Sequence, residues 1–127
     1  MSIQRLQEAV RVMADCGFSL QQVSKEVGRH ENYLSELTRK DFQPPDAMVE
    51  KIRSSIKKRG VILVSFSPEK QSLSQLSQRS SLLLGRLADK LGVSRQAINS
   101  GGISDAVLQK LTNEIHSIGR KLLRIAE

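Results

Sequence analysis

The chain has 127 residues, 39% of them hydrophobic but only 3% aromatic and none tryptophan, so its core must be aliphatic. That length allows one ordinary domain or two small ones. A formal net charge of +7 and a pI near 10.0 suit a polyanionic partner, and the excess is shared, +3 up to Gly60 and +4 beyond it, so neither part is a basic tail.

Helical spacing organises the first sixty residues. Ile3, Leu6, Val10 and Met13 lie three and four apart behind Ser2, a ready N-cap, which predicts an amphipathic helix over 2–16 ended by Gly17. Cys16, the single cysteine, excludes an internal disulfide and sits on the apolar side of that helix, where a small core residue is the expected role. Ser19 caps a second helix with Leu20, Val23 and Val27 inward and Gly28 closing it. A third runs from about Glu31 to Lys40 with Tyr33, Leu34 and Leu37 available to the core, and Pro44-Pro45 stops it. Asp46 is expected to cap a fourth helix with Val49, Ile52 and Ile56 inward and Lys57, Lys58 and Arg59 in its last turn before Gly60, where the helix dipole favours cations.

Val61-Ile-Leu-Val-Ser-Phe66 is apolar and β-branched between Gly60 and Pro68, and reads as a short strand or extended connector. Two uses are open for it: packing against a neighbouring module, or pairing with a second copy of itself, which would hide an exposed edge. Ser67-Pro68-Glu69 is a helix start, and the helix it opens carries Leu73 and Leu76 in a run otherwise rich in Ser and Gln. No unbroken apolar run exceeds the four residues Val61–Val64, so neither a secretory leader nor a membrane span is expected, and a cytoplasmic protein is (nucleoid-associated if bacterial).

The stretch from Leu84 to Ser100 carries the sharpest signal. Leu84, Leu87, Ala88 and Leu91 share a helix face, Gly92 supplies a turn, Val93 is buried, and Ser94 caps a second helix with Ala97 and Ile98 inward. That is a helix-turn-helix, and its second helix offers Arg95, Gln96, Asn99 and Ser100 outward. Arginine and carboxamides can each pair with a base edge in the major groove. Leu87-Ala-Asp-Lys-Leu-Gly-Val-Ser-Arg-Gln-Ala-Ile98 resembles the helix-turn-helix of Cro and lambda-repressor-like proteins. It departs from that family at Leu84, where members usually carry a glutamine that contacts the DNA backbone. The resemblance implies a DNA-binding regulator, commonly a dimer on an inverted repeat.

Two internal matches extend the reading. Val23-Ser-Lys-Glu-Val-Gly28 repeats as Leu87-Ala-Asp-Lys-Leu-Gly92, 64 residues on, and Asp46-Ala-Met-Val-Glu-Lys-Ile52 repeats as Asp105-Ala-Val-Leu-Gln-Lys-Leu111, 59 residues on, each helix closing at a glycine, Gly60 and Gly119. The expected fold is therefore all-α: two small tandem helix-turn-helix modules of four or more helices each, at 1–60 and 69–127, joined by a short extended or strand-like linker over 61–68. The last helix carries Leu108, Leu111, Ile115, Ile118, Leu122 and Ile125 at alternating threes and fours, a coiled-coil seam interrupted by Gly119, where the helix either continues and dimerises or breaks and packs back.

In the first module the positions matching the outward face are Glu31, Asn32, Ser35 and Arg39. Asn32 suits adenine and Glu31 a cytosine amino group, although Glu31 and Glu36 would face phosphate unless each finds a donor. Phosphate donors are expected at Ser19, Arg29, His30 and Lys40 in the first module and at Arg86 and Ser94 in the second. Homodimerisation is expected through Val61, Ile62, Leu63 and Val64 or through Ile118, Leu122 and Ile125. The leading expectation is a sequence-specific regulator of double-stranded DNA. The alternative is an interaction module, such as an antitoxin or co-regulator, in which only one helix-turn-helix contacts DNA. No enzyme motif, metal-ligand cluster, cofactor or small-molecule site is legible, and His30 and His116 have no ligand partners at metal spacing.

Overall fold

A serine precedes most of the helices, and the side-chain oxygens of Ser2, Ser19, Ser94 and Ser104 accept the backbone N–H groups of Arg5, Gln22, Ala97 and Val107. The computed structural model describes residues 2–39, 42–69, 73, 75, 76, 81–100 and 102–127, with the backbone alone for Ser81 and Asn99. Among these the helices are α1 (Ile3–Asp15), α2 (Leu20–Glu26), α3 (Tyr33–Arg39), α4 (Asp46–Val64), α5 (Ser81–Leu91), α6 (Arg95–Ser100) and α7 (Asp105–Ala126), and there is no strand. Asp46 and Asp105 are the first helical residues rather than the caps; Pro45 and Ser104 stand at the cap positions, and each aspartate lies in the positive first turn. The helix expected from Ser67 falls largely outside the described residues, but Leu73 and Leu76 are buried.

Val61–Val64 is not a strand or a linker. It forms the last turn of α4, which runs without interruption through Gly60 to Val64. The reason is burial. Leu63 is 2% exposed, and a buried leucine is worth roughly 1.5–3 kcal/mol, more than the spread of about 1 kcal/mol that strand propensity offers. Val61 and Ile62 are left at the surface. α7 likewise runs unbroken through Gly119.

Gly60 and Gly119 are thus contact points inside helices, not stops. A β-carbon at Gly60 would lie 2.8 Å from Leu123 Cγ and 3.0 Å from the Gly119 carbonyl oxygen. One at Gly119 would lie 2.8 Å from both Val64 Cγ1 and the Val64 nitrogen, and 2.9 Å from Leu63 Cβ. Each glycine costs its helix about 1 kcal/mol relative to alanine, and here the cost is offset by letting the two backbones approach. Around this crossing Ile52, Ile56 and Leu63 of α4 and Leu111, Ile115 and Leu122 of α7 are all buried, in the same spacing on both helices.

Among the described residues α4 against α7 is the most extensive helix contact; α2 and α1 pack on α4, and α5 and α1 on α7. The buried aliphatic residues of the described chain form one cluster drawn from both halves, so the two repeats share a core instead of each having its own. α2 is also tied to α4 by a polar contact: Arg59 Nη2 lies 2.8 Å from Glu26 Oε2, and Ser55 Oγ donates to Glu26 Oε1 at 3.0 Å.

Two outcomes test this packing. Gly119→Ala should destabilise the chain in urea unfolding, because overpacking typically costs about 1–3 kcal/mol and the helix-propensity gain is only about 1; Gly60→Ala, which meets the Leu123 side chain and no backbone atom closer than 3.0 Å, should lose less. Hydrogen bonding from Arg59, opposed by partial burial, holds the Glu26 carboxyl below its ordinary range. The folded state therefore favours the carboxylate, and this stabilisation is complete above the ordinary carboxylate range and lost as pH falls through the lowered value. Glu26→Gln should cost about 1 kcal/mol or less at neutral pH, after screening of a side chain about one-third exposed, and should converge with the parent in strong acid.

Candidate nucleic-acid interface

Two pairs of helices, α2–α3 and α5–α6, are joined by the same kind of turn. Gly28 and Gly92 have φ of +81° and +72°, the left-handed region that glycine alone enters without strain. In the first turn Gly28 N–H donates to the Lys25 carbonyl at 3.0 Å and Arg29 N–H to the Ser24 carbonyl at 2.9 Å. In the second, Gly92 N–H donates to Asp89 at 3.3 Å and Val93 N–H to Ala88 at 3.0 Å. These are the paired bonds of a Schellman end, at positions 64 residues apart. Ser24 and Ala88 are both wholly buried where the helices meet, and Leu34 and Ile98 are buried to lock the second helix of each pair.

The pairs differ in how the second helix is capped. Ser94 caps α6 from its own chain position, through Ala97 N–H at 3.0 Å. The corresponding residue before α3 is His30, which does not serve. Instead the Ser24 hydroxyl, buried on α2, accepts Leu34 N–H at 3.1 Å and donates to the Leu20 carbonyl at 2.7 Å. A serine at the position that holds alanine in the second pair thus supplies an acceptor to α3 from the preceding helix.

On α3 and the turn before it, Glu31, Asn32 and Arg39 are exposed, whereas Ser35 is half-buried. Arg39 folds back along its helix, Nε donating to the Ser35 carbonyl at 3.3 Å. Glu36 stands beside a ring nitrogen: His30 Nε2 lies 3.3 Å from Glu36 Oε2. Glu31 makes no ion pair among the described residues. Arg29 Cζ stands 5.6 Å from the Tyr33 ring centroid, and Tyr33 packs on Phe42 at 5.7 Å.

On α6, Arg95, Gln96 and Ser100 are exposed, and the Asn99 side chain lies outside the described residues. Arg95 does not extend away from the pair: its guanidinium rests against Gly85 of α5, 2.5 Å from where a β-carbon would stand. Ser100 Oγ donates to the Ala97 carbonyl at 3.4 Å. Among the described residues α6 packs on α5 alone, whereas α3 packs on both α1 and α2. By the 64-residue repeat the sequence has Gly101 where α3 has the wholly buried Leu37.

Of the expected phosphate donors, Ser19 and Ser94 are exposed helix caps, Arg29 and His30 are exposed and engaged as described, and Lys40 lies outside the described residues. Arg86 is exposed and donates to the Asp15 carbonyl at the end of α1. It shares that neighbourhood with Lys121 of α7: both cations act on Cys16, whose half-buried thiol is pushed up chiefly by burial, as suits a core residue and not a nucleophile. Lys121 was missed from the spacing of the motif alone. The available signal was charge, since no acid lies between Glu114 and Glu127 while Arg120, Lys121 and Arg124 do.

The expected self-association faces are largely spent inside the chain. Leu63 and Leu122 are buried, Val64 meets Gly119, and Ile118 and Ile125 pack half-buried on the core; only Val61 and Ile62 remain exposed. Among the described residues no group of three His, Cys, Asp or Glu could hold a metal ion, and no helix is long and apolar enough to cross a membrane. No protein-family model, curated protein or solved structure matches the chain.

Ser24→Ala should leave the buried Leu34 N–H without an acceptor and lower unfolding stability by about 1–3 kcal/mol. Equal stability of this variant and the parent in urea unfolding would show that the Leu34 N–H does not depend on the Ser24 hydroxyl.

Proposed function

We propose that the protein is a sequence-specific DNA-binding regulator of transcription that reads duplex DNA with the second helix of each turn-linked pair, two tandem helix-turn-helix units on one chain. The observation that carries this reading is the repeated construction. The same glycine turn and the same buried lock present a short second helix twice, with exposed Asn32 in the turn just before one and exposed Arg95 and Gln96 on the other. A net charge of +7 supports attraction to a phosphate backbone. We assign base contact in the second unit to Gln96, Asn99 and Arg95, the last after leaving Gly85, with Ser100 beside them. In the first unit we assign it to Asn32, with Glu31 selecting cytosine and Arg39 released from its own helix. Phosphate contact falls to Arg86, Lys121, Arg29 and the capping serines Ser19 and Ser94.

Glu31, exposed and without an ion pair among the described residues, favours a second reading, in which the first unit binds a protein and only the second binds DNA. Glu31→Lys separates the two. A DNA-reading unit should keep or gain nonspecific duplex affinity, and a protein-binding one should lose its partner without any change on DNA.

Binding to duplex recovered by selection from a random pool tests the main proposal. Affinity should fall steeply between low and moderate salt. Arg95→Ala should cost roughly 1–3 kcal/mol on the selected site and much less on random duplex. Equal losses on both, or a flat salt response, would reject base reading.

A further inference from the structure

The crossing of α4 and α7 obeys a rule that two unrelated helices have no reason to obey. By the 59-residue repeat, Gly60 corresponds to Gly119, Leu63 to Leu122 and Val64 to Leu123. Gly60 faces Leu123, and Gly119 faces Val64. If i touches j′, then i′ touches j. That reciprocity is the mark of an isologous interface, the kind that forms when two identical subunits meet across a two-fold axis. Here both sides of the interface belong to one chain.

The attachments follow the same correspondence. α2 packs on α4, and its counterpart α5 packs on α7. Each turn-linked pair is therefore fastened to its own half of the crossing. The aliphatic residues that two copies of either half would need for pairing, Leu63 and Leu122 beside the two glycines, are already buried in the shared cluster. What a dimer of single units obtains by association, this chain holds covalently.

Fusion also frees the two heads from being identical. The exposed face of the first presents Glu31 and Asn32; that of the second presents Arg95 and Gln96. Carboxylate and asparagine suit cytosine and adenine, arginine and glutamine suit guanine and adenine, so the two faces select different bases. We infer that one chain, acting as a monomer, occupies a bipartite duplex site whose two halves differ in sequence, the α4–α7 crossing serving as its built-in dimer interface. This rests on the DNA-binding reading above and specifies its target: a non-palindromic pair of half-sites filled by one molecule.

Selection from a random duplex pool with the full-length protein, followed by sedimentation of the free chain and of its complex, tests it. Expected are a monomer in solution, one chain per duplex, and two separate blocks of base preference unlike each other. Asn32→Ala should weaken binding roughly tenfold and relax one block only, and Gln96→Ala should do the same to the other block. Two chains on an inverted repeat of one half-site would overturn the inference while leaving sequence-specific DNA binding intact. So would a single block of preference sensitive to only one of the variants. No enrichment of any sequence would overturn the DNA-binding reading, and the inference with it.

Discussion

Everything in this fold hangs on how closely α4 can approach α7, and that distance is set by two hydrogen atoms, those that stand in for side chains at Gly60 and Gly119. With the backbones this near, Val64 and Leu123 fit over the opposite glycine and the leucines beside them are shut away from water. Dispersion and burial gained along the crossing offset a helix-propensity cost of about 1 kcal/mol at each glycine. A larger residue at either point would push the helices apart and open gaps along both rows of buried aliphatics. Because α2 is fastened to α4 and α5 to α7, the same spacing governs how the two turn-linked pairs are held.

Within each pair the constraint is the fate of backbone hydrogen-bond groups at a tight turn. A short second helix leaves its first N–H groups without intrahelical partners, and a buried one among them must be satisfied. The second pair does this with Ser94, in the helix's own cap position; the first does it with Ser24, reaching across from the preceding helix. The consequence is mechanical. In the first pair the two helices are joined by a buried hydrogen bond as well as by packing, and α3 leans on α1 too. In the second pair α6 is anchored mainly by Ile98.

Much of this was legible before any coordinates. Helix existence followed the three-and-four spacing of aliphatics, the capping serines were readable as caps, and Gly17, Gly28 and Gly92 do end helices with positive φ. Gly60 and Gly119 misled because glycine is ambiguous: the same residue that ends one helix permits close packing in the middle of another, and only the partner's position decides. Val61–Val64 misled for a related reason. A four-residue β-branched run looks like a strand locally, but Leu63 has a buried place waiting on α7, and tertiary burial outweighs local propensity. Side-chain direction at the candidate interface was the least legible level. Arg95 folding onto Gly85 and Arg39 onto the Ser35 carbonyl depend on contacts that spacing does not encode.

The internal repeat was visible as sequence, yet its meaning changes once the helices are packed. Read linearly, two copies joined by a connector suggest independent beads that associate with further copies of themselves. The shared aliphatic cluster and the reciprocal glycine contacts argue instead that the second copy is the first copy's partner. A connector then needs no stiffness of its own, since the interface fixes the geometry that a linker would leave loose. Symmetry in the scaffold with divergence at its exposed helices is what would follow if packing constrains both halves alike while each face answers to a different ligand surface. The contrast is visible residue by residue: Ile52 and Leu111, Ile56 and Ile115, Leu63 and Leu122 are buried aliphatics in both halves, whereas Glu31 and Arg95 differ in the sign of their charge.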